Sequence, residues 1–437
     1  MKIALLLVAA AAMAADWPQF RGPSGSGVED SANPPVRWEA SNIVWKTPVA
    51  GLAVSSPIIS GKLVYVTTAI SSDPTASLRV GLYGDVEPAP DVTAHVWKVL
   101  AFDKQTGKLV WEQTAAKGVP KTKRHPKSSQ ASCTPVTNGK VVVAYFGSEG
   151  LHAYSASDGK PVWKKDLGLQ NAGWFFDPDY EWGAASSPII YKNSVIVQCD
   201  RQRDSFVAAF SLADGKELWR TGRDELPTWG TPTIVPGKDR DELVTNGSKA
   251  IRGYDPDTGK QLWTLSPNSE VVCTTPVFGH GLIFVTAGYP PVRPVYAIRQ
   301  GSSGDLASSD AIAWSNTTGG VYLPSPLVYG EHLYTVGNNG VLTVYDAKTG
   351  TRAYQQRVGE GGSFTAAPIA ASGRLYISSE DGDVYAVKAG ARYELLGKSA
   401  LGEKLLTTPA LSGNLIVIRG DKHLFAISSP SEAPAKD

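Results

Sequence analysis

Apolar and polar residues alternate over short runs such as "GKLVYVTT" (61–68), "GKVVVAYF" (139–146) and "GRLYISSE" (373–380), the period-two pattern of half-buried strands. Each run follows a small-small-Pro-apolar signal, which occurs eight times, with prolines at Pro57, Pro135, Pro188, Pro232, Pro276, Pro326, Pro368 and Pro409. The intervals are 78, 53, 44, 44, 50, 42 and 41 residues. A second signal follows the run: "AFDKQTGKLVW" (101–111), "AYSASDGKPVW" (153–163), "AFSLADGKELW" (209–219), "GYDPDTGKQLW" (253–263) and "VYDAKTGTRAY" (344–354) each read as strand, tight turn, strand. The unit is therefore a four-stranded antiparallel sheet of about 40 residues, the length of a propeller blade. Pro and small residues suit an innermost strand crowded toward an axis. The Trp falls on the outermost strand. Trp45, Trp111, Trp163, Trp219, Trp263 and Trp314 share that place, with Tyr354 in a further unit, and are expected to pack between blades.

The last unit has its Pro409 and strands at "NLIVIRG" (414–420) and "HLFAISS" (423–429), but no fourth strand. "NIVWKTPVAG" (42–51) has the outer-strand pattern with no inner partner before it, so it should complete the last blade and remove the open edges of the array. The expected fold is an all-β propeller of eight blades over 42–428, closed by this N-terminal strand. Seven is the alternative count, because the units after Trp314 are degenerate.

Composition narrows the function classes. The chain has 437 residues, 19% of them charged, and a formal net charge of +1, which provides no broad attraction for nucleic acid or an anionic membrane. "MKIALLLVAAAAMAADW" places one Lys before an apolar run and ends in small residues, the pattern of a cleavable signal peptide over 1–15, so a periplasmic or secreted location is expected. No Cys near the cleavage site offers a lipid anchor, and no later stretch reaches the roughly 20 apolar residues of a membrane span. Cys133, Cys199 and Cys273 are too few and too far apart to suggest a disulfide framework. A segment 16–41 precedes the propeller, and a tail 429–437 follows it.

The "A-x-D-x-x-T-G-K-x-x-W" pattern, clearest at Ala101 to Trp111, resembles the tryptophan docking repeat of the pyrroloquinoline-quinone (PQQ)-like propellers. That superfamily includes quinoprotein alcohol dehydrogenases and the lipoprotein of the outer-membrane β-barrel assembly machine. The opening "DWPQFRGP" (16–23) also resembles the start of exported bacterial members. The resemblance implies eight blades and N-terminal closure. It leaves function open.

Loop lengths point to one face. From outer-strand Trp to the next Pro the chain takes 13 residues at Trp219 to Pro232, but 24 at Trp111 to Pro135 and 25 at Trp163 to Pro188. Blade 1 holds a further insertion around 70–97, and in an antiparallel blade all three connections rise from the same end. The first connection is basic, with Arg124, His125 and Lys127; the second, "GWFFDPDYEWG" (173–183), is acidic and aromatic, with Trp174, Asp177, Tyr180, Glu181 and Trp182. Trp229, Asn246 and Arg252 belong to the same face. Two readings stand: lids that hold each other by ion pairs, or a surface that binds a protein or a small polar ligand.

A non-enzymatic binding scaffold without a cofactor is the expected function. The alternative is an oxidoreductase dependent on PQQ and Ca2+, for which Glu149 and Asn246 are the candidate metal ligands implied by the resemblance; no Asp carries the motif of its base, although Asp224 sits in a suitable loop. The sequence lacks the adjacent Cys pair that many such enzymes carry. "SSEDGD" (378–383) and "DPDTG" (255–259) superficially suggest calcium loops, but Asp and Gly are ordinary turn residues.

Overall fold

In the computed structural model, residues 16–82 and 86–429 are described; the expected signal peptide and the tail from 430 lie outside them. The strands form eight antiparallel sheets, each a blade with strands A to D from the axis outward. Blade 1 comprises Ile58–Ser60, Leu63–Ser71, His95–Asp103 and Leu109–Gly118. Blade 8 takes Ala410–Ser412, Leu415–Arg419 and His423–Ile427 from the C-terminus and Ile43–Pro48 from the N-terminus. Ile43–Pro48 pairs antiparallel with His423–Ile427, so the ring is closed as the sequence pattern requires. Among the described residues no helix is long and apolar enough to cross a membrane.

The repeat signals have separate physical jobs. The small residue that opens each D-strand signal lies directly across the sheet from the aromatic: Ala101 faces Trp111, Ala153 faces Trp163, and Ala209 faces Trp219. The indole then reaches the next blade's C-to-D turn. Trp45, Trp111, Trp163, Trp219 and Trp314 donate to the carbonyls of Lys104, Ala156, Leu212, Pro256 and Ala347 at 2.9 to 3.1 Å. The turn glycine makes room for the ring: Gly159 has φ +71, and a Cβ there would fall 2.7 Å from Trp111.

Trp263 departs from this arrangement. Its indole donates to Glu242 Oε2 of its own blade at 3.1 Å, because blade 5 replaces the expected tight turn with an excursion whose Gly304–Asp305 adds to the edge of blade 4. The ring still packs against blade 5 through Ile283, Val285 and Ile298.

The residue before each Pro builds a belt around the axis. The backbone N–H of Ser56 donates to Thr134 Oγ1, Thr134 to Ser187, Ser187 to Thr231, Thr231 to Thr275, and Thr275 to Ser325. Ala367 donates to Thr408, and Thr408 back to Ser56. The one missing hydroxyl is at Ala367, which offers Ser325 no acceptor. Ala367→Ser should complete the belt and raise stability by about 0.5–1.5 kcal/mol, read as a higher denaturation midpoint; an unchanged or lower midpoint would show that the gap is not a missing bond.

The segment before the propeller enters the ring. Trp17 exchanges two backbone hydrogen bonds with Ile59, Pro18 O accepts from Thr137, and Gly27 O and Glu29 N bond to Ala370. These are inner-strand residues of blades 1, 2 and 7, so the segment satisfies part of the inner edge left free around the axis. Trp17 and Arg21 are fully buried. Phe20 forms part of the lining of the axial cavity.

Candidate functional site

The three insertions meet over one end of the ring. The basic loop and the blade 1 insertion are joined at an Ala89 to Arg124 bridge, and Arg124 Nε lies 2.9 Å from Asp91 with both side chains buried. Trp182 donates its indole N–H to Val86 O, and Tyr180 donates its hydroxyl to Glu87. His125 N bonds to Trp182 O, while Trp229, from the connection between blades 3 and 4, donates to Gly183 O at 2.7 Å.

The stretch 173–183 is a small hairpin held by a Gly173 to Glu181 bridge. Its close strands leave no space for a side chain at Gly173, where a Cβ would lie 1.6 Å from Tyr180 O. The aromatics divide between its two ends. Trp182 points to the axis, 5% exposed, with its ring 5.5 Å from His125 and 5.9 Å from Trp229. Trp174 stays at the outer tip, stacked edge-on to Phe176 and Tyr180. Asp177 shapes that tip, with its carboxylate accepting from Asp179 N at 3.0 Å.

Below this roof lies an axial cavity of about 200 Å3. His125, Lys127, Trp182, Trp229, Tyr322 and Asn338 line it with all eight residues that precede the repeat prolines. No carboxylate is in the lining. Burial, together with Lys127 and Arg124 nearby, pushes the His125 imidazole down to about 4, so the ring is neutral at ordinary pH. Its Nδ1 lies 3.0 Å from Lys127 N–H and accepts from it, which leaves Nε2 to carry the proton.

The expected pairing of basic loop with acidic loop is corrected by the long-range contacts. Glu181 accepts from the backbone N–H of Lys123, and the two buried cations go elsewhere: Arg124 to Asp91, and Lys127 across the mouth to Glu380 of blade 7 at 2.5 Å. Glu380 is fully buried and also accepts from Gly81 N, Ser363 Oγ and Thr365 Oγ1. "SSEDGD" was thus the unrecognised half of a latch. "DPDTG" is a turn in which the Asp255 carboxylate accepts from Asp257 N and Thr258 N.

Asn246 and Arg252 are not part of the roof. Asn246 donates to Thr274 O and Thr286 O and accepts from Asn268, a strut between blades 4 and 5. Arg252 pairs with Glu225 at 2.5 Å. Nearby, the buried Arg223 is held by Asp200 at 2.7 Å and by Thr245 and Tyr254.

The donor set does not fit a calcium- and quinone-dependent centre. Asn246 is occupied by the protein on both its amide atoms, and Glu149, on blade 2, accepts from Lys121 N and has its carboxyl raised by burial. Asp224 is exposed and paired with Lys249, which lowers its pKa and makes it a poorer base. Among the described residues no group of three or more His, Cys, Asp or Glu could hold a metal ion. The three cysteines are separate thiols; Cys133 and Cys199 are buried.

The chain is 24% identical over 384 residues to the outer membrane protein assembly factor BamB of Yersinia pestis, covering 83% of this chain and 86% of that one. It is 24% identical over 298 residues to the BamB of Shewanella oneidensis, covering 65% and 71%. Among solved structures, BamB from Moraxella catarrhalis superposes with a TM-score of 0.56 at 12% identity, covering 83% of this chain and 98% of that one. Quinohemoprotein alcohol dehydrogenase from Comamonas testosteroni gives 0.61, also at 12% identity, covering 97% and 82%. At such identity the structures share the fold alone. The sequence profile described as outer membrane protein assembly factor BamB matches residues 97–203, 203–302 and 303–392, and by that match the chain belongs to this PQQ-like propeller family.

Proposed function

We propose that this protein is an exported, non-enzymatic scaffold that docks other proteins of the cell envelope on the insertion face over blades 1 to 3, in the periplasm. The observation that carries the reading is the distribution of exposed apolar side chains on that face. Leu82 and Val92 project from the blade 1 insertion, Val119 from the basic connection, and Leu169 and Phe176 from the next, Phe176 being 68% exposed. Large apolar groups exposed on insertions that a rigid ring holds are the composition of a protein-binding surface. The buried charges beneath it are already paired and serve to hold the insertions in place. The relatives named as an assembly factor support the same class of role.

The test is capture of partners from an envelope extract on immobilised full chain, using a bacterial extract. Phe176→Asp and Trp174→Ala should weaken capture by roughly 30-fold or more, as expected when a contact worth about 2 kcal/mol is lost, with the melting temperature unchanged. Leu218→Asp on an outer strand of blade 3 serves as the control, since Leu218 is also well exposed but away from the face. Equal capture by all three variants would reject the surface. Alcohol-dependent dye reduction with PQQ and Ca2+ would reject the non-enzymatic reading.

A further inference from the structure

Among the described residues, three of the five buried Lys and Arg side chains stand in an ion pair, and Arg21 and Arg419 do not. Arg223 lies between Asp200 and Glu225, Arg124 meets Asp91, and Lys127 meets Glu380. Arg21, in the segment threaded into the ring, is 0% exposed, yet its Nε and Nη1 have no hydrogen-bond partner and Nη2 reaches only Ser26 O at 3.2 Å. The acids of its own segment are committed elsewhere: Asp16 to Ser60 and Gly61, Glu29 to Ser31, Asp30 to Tyr329 and Ser372, and the exposed Glu39 to the backbone of Asn42. Arg419 also has unpartnered nitrogens, but Glu403 and Asp421 act on it electrostatically. Arg21 is lowered to about 9 by burial alone, so it remains charged at neutral pH with no acid acting on it.

A buried guanidinium with idle N–H groups and no counter-charge costs several kcal/mol, so an acceptor must come from solution. We propose that Arg21 anchors a buried anion site that takes a small inorganic anion of the size and charge of chloride. Size is set by the turn around it. The turn is closely packed at its glycines, where a Cβ at Gly22 would fall 2.4 Å from the Trp17 ring and one at Gly27 would fall 2.9 Å from Leu327 and 3.0 Å from Arg21 Nη2, so a small anion suits it better than a bulky polyatomic one. Arg21 itself has φ 62, a left-handed conformation that the surrounding contacts hold. The Trp17 indole N–H, four positions earlier, is a second buried donor without a partner in the same segment. The anion would neutralise the segment from within and tie its retention in the ring to the halide concentration outside.

Two measurements on the full chain test this. Crystals equilibrated with bromide should show an anomalous peak within hydrogen-bonding distance of Arg21 Nε or Nη1. In solution, the melting temperature should rise by ~1.5 °C for each tenfold increase in chloride above its dissociation constant, at ionic strength matched with gluconate, and Arg21→Met should abolish that dependence. Ordered water alone around the guanidinium, or a chloride dependence retained in Arg21→Met, would overturn the proposal. If Arg21→Met does not fold, the bromide peak on the unaltered chain decides the matter.

Discussion

Lys127→Met should lower the stability of the folded protein by about 3–5 kcal/mol, because it strands the Glu380 carboxylate, which is fully buried, without its cation. Three neutral donors remain on Glu380, from Gly81, Ser363 and Thr365, but none carries the charge that Lys127 supplies. The pair links the basic loop to blade 7, and Gly81 of the blade 1 insertion is bound to both partners, through Lys127 Nζ and Glu380 Oε2. Loss of the cation should therefore also loosen that insertion, seen as faster amide exchange around Gly81. Adding Glu380→Gln to Lys127→Met should recover most of the lost stability, since a neutral amide needs no counter-ion. Chemical denaturation decides the question: a single-variant loss below about 1 kcal/mol would mean that the pair is solvated and does not hold the roof.

Trp182→Ala should cost about 3–5 kcal/mol, the range for deleting a large buried aromatic. The substitution removes contacts with His125 and Trp229 and the indole bond to Val86 O, so three connections lose their common centre. Trp174→Ala, at the other end of the same hairpin, should change stability by less than about 1 kcal/mol, because Trp174 packs on neighbours of its own tip. The two tryptophans therefore separate lid from surface: one variant melts early, and the other loses partners at an unchanged melting temperature. A Trp182→Ala protein that melts normally but captures no partner would place Trp182 on the docking surface and remove it from the roof.

The hairpin also shows the limits of reading by composition. Five aromatics and three carboxylates in eleven residues suggested one kind of surface. The chain alternates across a strand pair, so neighbours in sequence face opposite ways, and only Trp182 reaches the cavity lining while Phe176 faces solvent. Asn246 and Arg252 were read as part of the same surface but belong to struts between and within blades, where a buried amide or guanidinium must find partners.

What the sequence determined by itself was everything that repeats. Blade number, ring closure by Ile43–Pro48, the small residue opposite each docking Trp and the hydroxyl before seven of the eight repeat prolines answer steric or hydrogen-bonding demands that recur around the ring, so they leave a period that can be counted. The excess length of three connections also assigned the crowded face, because strand direction alone decides the end from which a loop rises. The tertiary structure decided the pairings without a period: Lys127 with Glu380, 253 residues apart, Arg124 with Asp91, Trp263 with Glu242, and the entry of Trp17 and Arg21 into the ring. Such partners are chosen by where an insertion lands after the ring has closed. A buried charge must then find its counter-charge wherever the closed ring brings one within reach, however far apart the two stand in the chain.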